Sequence, residues 1–127
     1  MGKNKPSAVT EGFLTLFKFI RTKRQEYFVC LSLDSAGKPL RRRTVTIGTL
    51  NATLVHPREV FAGPLQDRAA AVVIVHNHPS GDPEPSKDDI KTTQQLVAAG
   101  QLLGIKLVDH VIVTRHDHYS FRRGGLL

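Results

Sequence analysis

One stretch of the chain combines a short apolar run, a proline-rich loop and a long helical pattern. The apolar run Ala71–Val75 has the length and the β-branched content of a buried strand. The helical pattern over 87–103 begins after Ser86, a residue typical of a helix N-cap, and stops at Gly104. A buried strand that leads through a loop into a helix indicates an α/β fold, with residues 76–89 at the end of the central strand.

Hydrophobic periodicity assigns the other elements. Apolar residues at helical spacing alternate with short β-rich runs that turn residues separate. This alternation around one buried strand predicts an α/β protein, a three-layer α/β/α sandwich around a mixed β-sheet. The predicted elements are a helix over 10–24, a hairpin of strands at 27–33 and 42–50, a strand at 53–56, a helix from Pro57, the strand at 71–76, the helix over 87–103, and strands at 106–114 and 119–121.

Two predictions concern the helices in more detail. Pro57 suits a first helical position, whereas Gly63-Pro64 should bend that helix or divide it into two pieces. In the helix over 87–103, three apolar residues share one face, namely Leu96, Ala99 and Leu103.

The length and the cysteine content limit the kind of protein. The 127 residues suffice for one domain with a single core, and we expect 1–9 to be flexible and 10–127 to form that domain. The single cysteine, Cys30, lies in an apolar run, which favours a buried structural thiol over a redox role. No signal peptide or membrane-spanning run is visible, so we expect a cytoplasmic protein in a reducing compartment.

Potential metal ligands gather in the loop after the central strand. Residues two apart in a strand point to the same face, so His76 and His78 can present two imidazoles to one point. Asp89 adds a carboxylate eleven positions after His78. Three protein ligands leave a fourth position for water, as in catalytic zinc sites. We therefore predict one Zn²⁺ per chain, while Mn²⁺, Fe²⁺ and Ni²⁺ remain alternatives for the same ligands.

Each part of this pattern also has an ordinary structural explanation. Ser86 and Asp89 have the spacing of a capping box, and His-x-His pairs arise by chance. The chain contains a second such pair, His116 and His118, with nothing comparable around it. The loop contains Pro79, Pro83 and Pro85, and each proline fixes its own φ. Because the loop is therefore stiff, it favours a preorganised site.

These residues resemble a known family. The pattern His76-x-His78-Pro79, followed by Ser86-x-x-Asp89, looks like the metal-binding motif of the JAMM (JAB1/MPN) metalloprotease superfamily. The longer string HNHPSGDPEPS is similar, more narrowly, to the bacterial RadC family. The resemblance covers about residues 11–125, with further matches at Gly48–Asn51, His56–Phe61 and Asp109–Val113. It implies the same three-layer fold, of the JAB/MPN or cytidine-deaminase-like type, and a zinc-dependent metallopeptidase or isopeptidase that cleaves an amide bond.

The resemblance also implies two further catalytic residues. The family's glutamate stands at the start of the first strand after the N-terminal helix, where this chain has Glu26 in QEYFVCL. It takes a proton from water and delivers it to the leaving amine. Glu59 is the reserve candidate, although the helix dipole alone favours an acid in a first helical turn. The counterpart of Ser86 stabilises the oxyanion, a role that competes with helix capping for one hydroxyl.

A polar pair near the end of the chain has two explanations. Asp109 and His110 lie in an apolar strand, so one of them must point inward and needs a buried partner. It either supports the metal ligands from behind or forms a hydrogen-bonded structural pair.

Two other functions are alternatives, and the formal net charge of +7 supports the first. A basic surface binds phosphates non-specifically, so a DNA-associated, repair-linked module without catalysis is one alternative. The basic residues carry no interleaved aromatic platform, so they also fit solvated surfaces, and the arginines at 41–43 can protect a sheet edge. A metal-dependent phosphodiester hydrolase is the other alternative, although many nucleases use paired metals. The sequence does not specify the protein or peptide substrate.

Overall fold

The protein contains one mixed five-stranded sheet. A computed structural model describes residues 12–48 and 55–127. The strand order is β2-β1-β3-β4-β5, in which β3 and β4 are parallel and the other neighbours are antiparallel. The elements are a 3-10 helix, η1 (Leu14–Ile20), the strands β1 (Tyr27–Leu33), β2 (Pro39–Ile47), β3 (Ala71–Asn77), β4 (Lys106–Val113) and β5 (His118–Ser120), and the helices α1 (Pro57–Gln66) and α2 (Lys87–Leu103).

Both faces of the sheet are covered, which confirms the predicted three-layer α/β/α arrangement. Successive residues of β1 and β3 point to opposite faces and enter two separate apolar clusters. The central strand β3 is buried from Val72 to Asn77, which explains its continuous apolar run. One cluster packs under α1 and α2 and includes Phe28, Cys30, Phe61, Val72, Ile74 and Leu96; the other packs under η1 and includes Phe17, Ile20, Val29, Leu31, Val73 and Val75.

The helix α2 has the predicted bounds because local signals fix both of its ends. The Ser86 hydroxyl accepts from the Asp89 amide at 3.0 Å, and the Ser86 amide donates to Asp89 Oδ2 at 2.8 Å. Gly104 ends the helix with φ 72°, a left-handed conformation that favours glycine. The predicted apolar face is wrong at Leu103, which is 44% exposed, whereas Leu96 is fully buried.

The prediction for the first helix is wrong in type and length. The structure has a 3-10 helix that ends at Ile20 instead of an α-helix to residue 24, and residues 1–11 lie outside the described part of the chain. Beyond the helix, the Asn77 side chain donates to the carbonyl oxygens of Lys23 and Gln25, at 3.4 and 2.9 Å, and holds this segment in a non-helical conformation.

The helix α1 is continuous through Pro64, so the predicted division into two pieces is wrong. Pro64 lies near the end of the helix, where the missing N–H removes only one hydrogen bond. The Asp67 amide donates to Gly63 O at 2.9 Å and closes the last turn. The strand predicted at 53–56 lies partly outside the described residues; Val55 is in a bend, and the His56 side chain caps α1.

The edge strand β2 begins at Pro39, three residues before its predicted start. Two of the arginines on this strand contact neighbouring elements, and their protection of the edge stays a prediction. Arg42 donates to Leu16 O, and its guanidinium lies 4.5 Å from the centre of the Phe19 ring. Arg43 forms a paired ion contact with Asp67, with Nη2 to Oδ1 at 2.7 Å.

Two further observations concern the general class of protein. Cys30 is buried as predicted, and burial raises the pKa of its thiol to about 12, which suits a structural residue. Among the described residues, no helix combines the length and the apolar character that are needed to cross a bilayer.

Candidate metal centre

Three predicted ligands converge at the end of β3. His76 Nε2 lies 3.1 Å from His78 Nε2 and 3.2 Å from Asp89 Oδ1, and His78 Nε2 lies 3.1 Å from Asp89 Oδ2. Ligand atoms that surround one zinc at about 2.0–2.1 Å in a tetrahedron are about 3.3 Å apart. The three side chains therefore have the spacing of ligands to a single ion. The first turn of α2 supplies the carboxylate because its capping box holds Asp89 in place.

A chain of buried hydrogen bonds fixes the tautomer of His76. The Thr93 hydroxyl donates to Asp89 O at 2.8 Å, so it must accept from His110 Nδ1 at 2.6 Å. Burial, and then the neighbouring His76, lower the pKa of His110 well below its usual value, so this imidazole is neutral. Its Nε2 therefore accepts from His76 Nδ1 at 2.7 Å. The Nε2 lone pair of His76 is left facing the candidate metal position.

The same reasoning applies to His78. Its Nδ1 donates to Asp82 O at 2.9 Å, which leaves the Nε2 lone pair directed towards His76 and Asp89. Burial favours the neutral imidazole, but the hydrogen bonds to Asp89 and Asp82 outweigh burial and raise the pKa of His78. Burial also opposes ionisation of Asp89, yet contacts with both imidazoles hold its pKa far below the usual range. A shared metal ion suits this arrangement, because both Nε2 lone pairs and the carboxylate can face it; without an ion, a proton on His78 Nε2 would fill the same place.

Glu26 lies beside this cluster. The carboxylate of Glu26 and the ring nitrogens of His76 and His78 all lie within 4.8 Å of one another. Asp89 approaches both imidazoles to within 3.2 Å, so Asp89 suits the third ligand position. A carboxylate beside three such ligands suits a base that contacts a water molecule.

Asn77 positions Glu26, and the sequence analysis missed this residue. Asn77 stands between the two histidines and points to the opposite side of β3. Its Oδ1 accepts from the Tyr27 amide at 2.6 Å, and its Nδ2 donates to Gln25 O at 2.9 Å. These hydrogen bonds fix the backbone of Gln25 and Tyr27, the residues on either side of Glu26. The only signal in the sequence was a polar residue inside a strand that was predicted to be buried, which needs a partner.

The Ser86 hydroxyl caps α2 through its oxygen and can still donate its hydrogen. Its hydroxyl oxygen accepts from the Asp89 amide at 3.0 Å, which leaves the hydroxyl hydrogen available to another acceptor. The residue is exposed at the rim of the site. Capping and oxyanion stabilisation are therefore chemically compatible in this arrangement.

The two residues of the polar pair in β4 are both fully buried, but they have different partners. His110 contacts His76, whereas Asp109 accepts from Ser120 Oγ at 2.6 Å and from the Arg122 amide at 3.1 Å. The geometry therefore places His110 behind a candidate ligand. The hydrogen bonds of Asp109 fasten the turn that follows β5.

The reserve candidate Glu59 lies elsewhere. It occupies the first turn of α1, where its side chain is 62% exposed and lies 3.6 Å from Arg58 Nε. It borders a separate cleft beside Arg43 and Val60. This position fits a first-turn acid that the helix dipole stabilises.

Comparisons with known proteins agree with the fold and with the motif. Residues 4–126 match the family described as RadC-like JAB domain. A UPF0758 protein of Methanospirillum hungatei is 52% identical over 105 residues, which are 83% of this chain and 47% of the relative. A UPF0758 protein of Bacillus licheniformis is 49% identical over 108 residues, 85% of this chain and 48% of the relative. One from Methanosarcina mazei is 42% identical over 125 residues, 98% of this chain and 55% of the relative.

These matches define the class of protein: an α/β domain of the JAB type with a histidine and carboxylate cluster at the end of its central strand. More narrowly, the chain belongs to the RadC family. It spans about half the length of the curated relatives that it matches.

Proposed function

We propose that this domain is a metal-dependent hydrolase of the JAB type that cleaves an amide bond, as a zinc metallopeptidase or isopeptidase. One observation supports this most directly. Two imidazole nitrogens and one carboxylate face a common point at mutual distances of 3.1–3.2 Å, and hydrogen bonds from the other ring nitrogens to His110 and Asp82 orient the two imidazoles. His₂Asp ligand sets with an open position are typical of catalytic zinc sites.

Each residue around this point has a distinct part in the proposed reaction. A zinc ion held by His76, His78 and Asp89 would supply Lewis-acid chemistry, which polarises a carbonyl group and acidifies water. The Glu26 carboxylate accepts a proton from the attacking water and passes it to the nitrogen of the leaving amine. The Ser86 hydroxyl donates to the oxygen of the tetrahedral intermediate. Thr93 and His110 keep the lone pair of His76 directed at the ion.

The metal content of the untagged protein tests the site. We expect one equivalent of zinc in the wild type and in Glu26→Gln, and its loss in His78→Ala. The matched control is His116→Ala, which removes an exposed imidazole from the other His-x-His pair and should retain the metal. Absence of stoichiometric metal after zinc is supplied at neutral pH would overturn the proposal. Loss of the metal in Glu26→Gln would instead make Glu26 a ligand.

Hydrolysis of peptide and isopeptide libraries by the zinc-loaded protein tests the chemistry. Cleavage should disappear in His78→Ala and also in Glu26→Gln, which keeps its metal. A base that is lost in a general acid–base step lowers the rate by about 10²–10⁴-fold. Unchanged cleavage by Glu26→Gln would show that another group moves the proton.

A further inference from the structure

A basic groove opens directly onto the candidate metal centre. It encloses about 510 Å³ between the segment that precedes β1, the loop after His78 and the turn between β4 and β5. Its lining contains basic side chains and no carboxylate among the described residues. The basic side chains that define this groove are Arg21, Lys23, Arg24, Arg115 and His116, beside the candidate ligand His78.

The walls of the basic groove are held by hydrogen bonds that reach across the fold. Arg21 Nη1 donates to the carbonyl oxygens of Thr114 and Asp117, at 2.8 and 3.1 Å, and so ties the turn to the segment before β1. Asn77 holds the other end of that segment through Lys23 O and Gln25 O. The groove is therefore formed before any ligand arrives, which lowers the entropy lost on binding.

The cations of the basic groove are available to a ligand. Lys23, Arg24 and Arg115 are exposed. Within 12–48 and 55–127, no ion pair engages Arg24 or Arg115. Arg21 already has the Asp117 carboxylate near it, but the remaining basic side chains repel each other, so an anionic ligand relieves that repulsion.

The basic groove continues into the position of the candidate base. A second cleft shares Arg24 and Pro79 with it and is lined by Gln25, Glu26 and Gly48. A chain that lies along both clefts passes Glu26 and His78 at their junction. The reacting bond would then lie at the junction, with the anionic part of the ligand on one side of it.

We propose that the basic groove binds an acidic segment of a polypeptide substrate, with its Asp or Glu side chains next to the bond that is cleaved. This inference rests on the proposed amide hydrolysis. A polypeptide is favoured over single-stranded nucleic acid because the proposed reaction needs an amide bond at the junction, and because the described lining has no Phe, Tyr or Trp side chain to stack on a base. Arginine side chains also match the geometry of carboxylates.

Calorimetry on metal-free, chelated protein tests binding separately from hydrolysis. The probe is an acetylated and amidated glycine-rich peptide with alternating glutamates, compared with the same peptide carrying glutamines. At about 20 mM salt, where screening is weak, the glutamate peptide should bind and the glutamine peptide should bind at least about tenfold more weakly. Absence of this preference in the wild type would overturn the inference.

Two double variants with the same change in net charge locate the effect. Arg24→Glu/Arg115→Glu should weaken binding of the glutamate peptide by about tenfold, since two attractive contacts become repulsive. Arg41→Glu/Arg123→Glu reverses two exposed arginines outside the groove and should change binding less than about twofold. Equal losses in the two variants would overturn the inference. Tighter, groove-dependent binding of a single-stranded oligonucleotide of equal charge would overturn it in favour of nucleic acid.

The two proposals fail in different ways. If the chelated protein binds the acidic peptide through the groove but the zinc-loaded protein cleaves no amide bond, the proposed hydrolysis is wrong and the anion site remains. If the zinc-loaded protein cleaves neutral and acidic peptides with equal kcat/KM and the chelated protein binds both alike, the hydrolase remains and the acidic specificity is wrong.

Discussion

The chain contains the same short pattern twice, with different results. His76 and Asn77 end the central strand and His78 follows it, whereas His116 and Asp117 lie in the turn between β4 and β5 and His118 begins β5. His76 is fully buried and its Nδ1 is hydrogen-bonded to His110, whereas His116 is exposed. His-x-His spacing alone therefore does not make a metal site, even though it brings two imidazoles near each other.

Three features distinguish the first pair from the second. A helix N-terminus brings Asp89 to within 3.2 Å of both imidazoles. Thr93 and His110 fix a tautomer from behind. The turn that carries His116 is closed instead by local bonds, with the Thr114 amide donating to Asp117 O at 2.9 Å. Metal affinity should therefore depend on these added partners as well as on the two histidines.

The largest effect should follow from removal of a ligand. His78→Ala should lower zinc affinity by more than about 100-fold. Loss of a residue that only hydrogen-bonds to a ligand costs up to about 100-fold, and loss of the ligand itself should cost more. Asp89→Asn should act in the same direction, since the charge that faces the imidazoles is lost. Competition against a fluorescent zinc chelator measures both, with His116→Ala as the matched control. Equal affinity in His78→Ala and His116→Ala would remove the distinction between the pairs.

Asn77 and Asp117, the middle residues of the two His-x-His patterns, should differ in how much they contribute to the free energy of unfolding. Asn77→Ala breaks bonds to Tyr27 N and Gln25 O inside the protein and should lower the free energy of unfolding by about 2–3 kcal/mol. Asp117→Ala removes a half-buried side chain from a turn whose backbone bonds persist, and should cost less than about 1 kcal/mol. Urea unfolding at neutral pH measures both. Costs of the same size would show that Asn77 does not fasten the segment that carries Glu26.

The smallest effect concerns the bond behind His110. Thr93→Val removes the hydroxyl that accepts from His110 Nδ1, and should lower zinc affinity by about tenfold. Thr93→Ser keeps a hydroxyl and should restore most of that affinity. Thr114→Val is the counterpart near the second pair and should leave metal binding unchanged. If valine and serine at position 93 give the same zinc affinity, the hydroxyl does not orient the ligand.

Local patterns predicted much of the fold, because they act within one element. The run Ala71–Val75 indicated a strand buried on both faces, and Ser86 and Gly104 marked the ends of α2 to the residue. Where long-range contacts decide a boundary, the prediction failed. The first helix was predicted to continue to residue 24, whereas Asn77 holds the backbone of residues 23–25 in another conformation.

The sequence by itself determined which groups could form a metal site, because strand alternation and a capping box are local geometry. His76, His78 and Asp89 were identified in this way, whereas the family resemblance pointed to Ser86 and Glu26. Only the tertiary structure decided how that site is supported. His110 reaches His76 because β3 and β4 are parallel neighbours, and Glu26 reaches the cluster because Asn77 holds a segment about 50 positions away in sequence. Such contacts depend on strand order, which periodicity does not specify.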